Sequence, residues 1–66
     1  QSTRDFIHKR EVVLKELRES LYWLRLVART ELVPSHDEVL VFLLKECDEL
    51  IRIIASSVST SKGKLR

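Results

Sequence analysis

The chain has 66 residues, about half of an average domain, so it holds one small domain at most, and that excludes most enzyme folds. Its composition is 44% hydrophobic and 33% charged with one Gly and one Pro. That is too apolar for disorder and too poor in turn residues for many short strands, so it reads as long helices, and a net charge of +2 does not by itself announce a nucleic-acid binder.

A core this small seldom supplies more than ~3–5 kcal/mol, and small scaffolds lean on disulfides, metals or partner chains. Cys47 is the single cysteine, so no disulfide forms within the chain, and no Cys/His cluster offers a structural zinc site. Self-association is the staple that remains. The chain opens at Gln1 with neither an initiator Met nor an apolar leader, so it is expected to be a fragment with no visible signal peptide. The longest apolar run, Val39 to Leu44, is far short of the roughly 20 residues that span a bilayer. No membrane association is expected, and a lone cysteine fits a reduced, cytoplasmic setting.

The first predicted element is a helix over about residues 3–32, with Ser2 or Thr3 as its cap and Asp5 in its first turn. On a helical wheel Ile7, Leu14, Leu17, Leu21, Leu24 and Ala28 form one apolar stripe, broadened by Phe6 and Val13. The turn follows at 33–35, where Pro34 pushes Val33 out of helical geometry. Ser35 and Glu38 have the spacing of a capping box, which predicts a second helix over about 36–59. Its stripe collects Leu40, Leu43, Leu44, Cys47, Leu50, Ile51, Ile54 and Val58. Residues 60–66 are polar and basic, and a frayed tail is expected there. So short a connection makes the helices antiparallel neighbours in a hairpin.

Apolar residues are left over. Val12, Trp23 and Leu26 lie opposite the first stripe, and Phe42 and Ile53 share a flank of the second helix. A hairpin alone leaves these five wet, so they are the candidate oligomer interface, against which at least two further helices should pack.

Catalytic chemistry is nearly absent. His8 and His36 fall at opposite ends of the hairpin and cannot converge on one metal within a chain, and each reads as a surface or cap-proximal residue. Cys47, mid-stripe among leucines, reads as a small hydrophobe. With Gly63 the one glycine, no phosphate-cradling loop exists. Glu11 with Lys15, Lys45 with Glu49 and Asp48 with Arg52 are i,i+4 pairs of the kind that solubilise helices. Carboxylate pairs such as Glu16 with Glu19 lack the Glu-x-x-His companion of di-metal bundles. The expectation is therefore no enzyme, no cofactor, no metal and no small-molecule substrate.

One surface feature carries a sharper reading. Arg18, Tyr22, Arg25 and Arg29 fall within about 60° of one another on the first helix, with Arg4 and Lys15 extending that side. Such a basic stripe can track phosphates while Tyr22 stacks on an unpaired base, which makes these four the candidate nucleic-acid contacts. The plainer reading is a solvated helix face.

Three segments carry a resemblance: Arg4-Asp5-Phe6-Ile7-His8-Lys9, the stretch from Lys15-Glu16-Leu17-Arg18-Glu19-Ser20 to Leu21-Tyr22-Trp23-Leu24, and Glu46-Cys47-Asp48-Glu49-Leu50-Ile51. Across roughly residues 3–60 the chain resembles the C-terminal half, helices three and four, of the four-helix bundle family named for the 23S rRNA intervening-sequence protein. That resemblance implies an up-and-down four-helix bundle, commonly a homopentameric ring, bacterial and cytosolic, with no assigned enzymatic activity. It also implies association with RNA, because a related branch serves diversity-generating retroelements. The family's first two helices, with their Ser-x-x-x-Asn-Ile-Ala-Glu-Gly segment, have no counterpart here, so the missing hairpin must come from another polypeptide or a second copy. The expectation is an all-α antiparallel hairpin, half of a four-helix bundle, acting as an oligomeric scaffold that contacts RNA through a basic helix face. The alternative is a purely structural protein–protein interaction module.

Overall fold

The computed structural model of the chain describes residues 2–64. Two α-helices, α1 (Thr3–Thr30) and α2 (Glu38–Gly63), pack against each other as an antiparallel hairpin measuring 46 × 17 × 14 Å. Among the described residues no helix is long and apolar enough to cross a membrane.

Helix α1 begins where expected. Ser2 is its cap, in extended geometry, with its hydroxyl accepting from the Asp5 N–H at 3.1 Å. The helix stops at Thr30, two residues before the expected Leu32. The physical reason is Glu31, which turns left-handed (φ 56°, ψ 26°) and redirects the chain before Pro34 can obstruct the helix. Leu32 is consequently left exposed.

The expected Ser35 capping box is not what starts α2. Asp37 is the cap, and its Oδ1 accepts from the N–H groups of both Val39 and Leu40 at 3.0 Å. Ser35 and His36 are occupied in a tight turn closed by the Asp37 N–H donating to the Pro34 carbonyl at 2.9 Å. The helix can open only after that turn, and the carboxylate placed there satisfies two of the unpaired donors.

At its other end α2 runs to Gly63, past the expected Ser59, so residues 60–63 are helix where a frayed tail is expected. Contacts with α1 hold it. Arg10 Nη1 donates to Ser57 Oγ, Val58 is buried, and Lys62 Nζ reaches Glu11 Oε2 at 3.1 Å. Leu65 and Arg66, the last of that expected tail, lie outside the described residues.

The core is narrower than the two predicted stripes. Ile7, Leu14 and Leu21 of α1, at seven-residue spacing, meet Leu40, Cys47 and Val58 of α2. Cys47 also donates its thiol to the Leu17 carbonyl at 3.2 Å. Leu17, Leu24, Ala28, Leu44, Ile51 and Ile54 are half-buried. Val13, Leu43 and Leu50, expected in this core, are not in it: Leu43 keeps 42% and Leu50 44% of its surface exposed. Two cylinders touch along one line, so side chains well off that line cannot be covered by a single partner helix.

Candidate nucleic-acid interface

The antiparallel packing gives the hairpin two broad sides of opposite character. On one side Arg18 of α1 and Ser59 and Lys62 of α2 line a shallow groove with Glu11. Further along the same side, Arg25 lines a second groove with Lys45 and Asp48. Tyr22, Arg25, Leu26 and Arg29 surround a hollow toward the end of α1. Arg18, Tyr22, Arg25 and Arg29 are all exposed and come together on this side.

The first helix alone does not complete the surface. Lys45, Arg52 and Lys62 of α2 stand across the seam from the α1 arginines, a contribution the sequence reading missed. It was legible in principle, because antiparallel pairing fixes which flank of each wheel shares a side. Lys62, moreover, falls in the segment expected to fray. Six cations (Arg18, Arg25, Arg29, Lys45, Arg52 and Lys62), with Arg4 and Lys15 extending the α1 row, thus stand against the carboxylates of Glu11 and Asp48. Both carboxylates are engaged, Glu11 with Lys62 at 3.1 Å and Asp48 with Arg52 at 2.8 Å. Of the expected i,i+4 pairs Asp48–Arg52 forms, whereas Glu11 reaches across to α2 instead of along α1 to Lys15. These exposed pairs contribute little stability, about 0–1 kcal/mol each, but they cancel the local negative charge and leave the arginines as the net field.

Tyr22 is 60% exposed and its ring meets Trp23 edge-on, with centroids 5.4 Å apart and planes at 76°. With that much of its surface exposed, Tyr22 is accessible to an unpaired base, as stacking requires.

The five candidate oligomer residues do not make one patch. Val12, Trp23 and Leu26 project from the outer edge of α1, whereas Phe42 and Ile53 lie on the far flank of α2, with the hairpin seam between the two groups. All five are exposed in the single chain, Trp23 at 55%.

Among the described residues no group of three or more His, Cys, Asp or Glu side chains is placed to hold a metal ion. His8 lies on α1 and His36 in the turn before α2, and they do not meet. No family model matches the chain, and no curated protein or solved structure matches it either.

Proposed function

We propose that the chain is a non-enzymatic, oligomeric helical-bundle protein that associates with RNA through its basic side. The observation that carries this reading is the cationic surface shared by both helices, with Arg18 facing Lys62 and Arg25 facing Lys45 across shallow grooves and Arg29 and the exposed Tyr22 beside Arg25. A phosphate backbone binds such a surface by counterion release, and unpaired bases stack on the exposed tyrosine. The likeness to helices three and four of the 23S rRNA intervening-sequence protein family supports the same reading. It suggests a bacterial, cytoplasmic four-helix bundle, pentameric as in that family.

The test is a titration with single-stranded and structured RNA at two salt concentrations, for the parent and for a variant with Arg18, Arg25 and Arg29 all changed to Gln. The parent is expected to bind at micromolar strength or weaker, with little sequence preference and steep weakening by salt. The triple variant is expected to bind less and to lose about 2 from the magnitude of the log–log salt slope, at about 0.7 per phosphate contact. A variant that binds as the parent does removes the RNA reading.

The second reading is a purely structural interaction module, and the exposure of Trp23 and Phe42 favours it. It predicts no RNA binding at any salt concentration, with oligomerisation intact.

A further inference from the structure

The side of the hairpin opposite the basic one is apolar. Val13, Leu24 and Val27 of α1 and Leu43, Leu50 and Ile53 of α2 project toward it, and the charged groups set among them are Arg10, Glu46 and, in line with Val27, Lys9, which pairs with Asp5 at 3.4 Å. On α2 this stripe adjoins the buried one, so the apolar arc of that helix is about twice as wide as contact with α1 alone can use. Arg10 lies flat there, its guanidinium carbon 4.0 Å from the Phe6 ring centroid and its Nη1 on Ser57. Its charge is drawn over the seam instead of projecting from the surface.

We propose that a second copy of the chain docks on this side, so that two hairpins close face to face as four helices with both basic sides turned outward. The proposal rests on the oligomeric reading above but assigns the contact to Val13, Leu43 and Leu50, not to the outer-edge group around Trp23.

Two observations select a second copy and this face. The first is area. A 46 × 17 Å side offers a footprint of about 800 Å2, the area each partner contributes to a standard stable interface. A second hairpin brings an apolar side of the same length and width, which matches it without overhang and gives the isologous contact usual for homodimers. The second is charge. Pairing through the opposite side would set at least six cations of one copy against six of the other, whereas the apolar side holds two cations, Lys9 and Arg10, and one anion, Glu46, in each copy, with Lys9 already paired to Asp5. Like-charge repulsion therefore directs self-association to the apolar side and leaves the cations free for a polyanion.

Sedimentation equilibrium from micromolar to submillimolar concentration decides the matter for the parent and three variants, with circular dichroism reporting helix content. The parent is expected as two copies, or as ten where five such paired bundles form the ring that the family likeness suggests. Leu43→Glu with Leu50→Glu is expected to weaken self-association about 100-fold or more, because closure would then bury unpaired carboxylates. Should that variant lose its helices, Leu43→Ala with Leu50→Ala keeps helix propensity and is expected to weaken association at least about 10-fold. Trp23→Ala is expected to leave the copy number unchanged.

Loss of association in Trp23→Ala with none in the Leu43 and Leu50 variants overturns the face assignment while the oligomeric reading stands. A parent of odd copy number likewise overturns the face-to-face pair. A parent that stays monomeric throughout, leaving its apolar side to some other polypeptide, overturns both the pairing and the oligomeric reading. The RNA reading is judged separately by its salt titration.

Discussion

Replacing Arg10 by Ala tests how the far end of the hairpin is held together. Arg10 joins the first turns of α1 to the last turns of α2 through Ser57 and lies over the Phe6 ring, with its side chain half-buried. A hydrogen bond from a charged donor contributes about 1.5–3 kcal/mol when buried, and its partial exposure brings that toward about 1 kcal/mol. The cation–π contact adds about 0.5–1 kcal/mol, and the packed aliphatic stem contributes as well. The total loss is therefore expected at about 1.5–2.5 kcal/mol, a large part of what so small a core supplies. Urea unfolding at fixed protein concentration measures it, because any self-association makes stability depend on concentration. A double-mutant cycle with Ser57→Ala isolates the cross-helix bond, with an expected coupling of about 1 kcal/mol. Amide exchange then locates the effect: residues 59–63 should open faster, since Arg10, Val58 and Lys62 are what hold the end of α2. A coupling near zero, with exchange at 59–63 unchanged, would refute the argument that tertiary tethers extend α2.

Asp37→Ala is expected to cost about 1 kcal/mol in urea unfolding, and Ser35→Ala a few tenths at most, because Asp37 alone of the two accepts from α2. Glu31→Gly should raise stability by about 0.5–1 kcal/mol, seen as a higher thermal midpoint, because Glu31 holds a left-handed conformation that suits glycine better. Equal stability of the two proteins would contradict that strain. Cys47 should react with a thiol reagent only slowly in the native protein and promptly in denaturant, since it is buried and its thiol donates to Leu17.

The sequence by itself determined that this chain is two helices joined by one turn. Apolar residues at helical spacing, Pro34 as the only break and a capping hydroxyl at Ser2 or Thr3 are local facts, and local hydrogen bonding and sterics act on them without knowledge of the rest of the chain. The core residues Ile7, Leu14, Leu21, Leu40, Cys47 and Val58 were legible in the same way as members of the two stripes, although only Leu40, Cys47 and Val58 sit at the middle of theirs, and packing shifted the α1 contact line to the Ile7–Leu14–Leu21 edge. Tertiary structure decided what lies at the edges. Whether Ser35 or Asp37 caps α2 depended on how the turn closed on Pro34, and whether α2 ended at Ser59 or Gly63 depended on partners far away in the chain. The same holds for Val13, Leu43 and Leu50, which periodicity assigns to the core but which one partner helix, touching along a line, cannot cover. The candidate nucleic-acid surface divides likewise. The arginines of α1 could be read from a single wheel, but Lys45, Arg52 and Lys62 joined them only through antiparallel packing, which fixes the flank of α2 that each cation shares with α1.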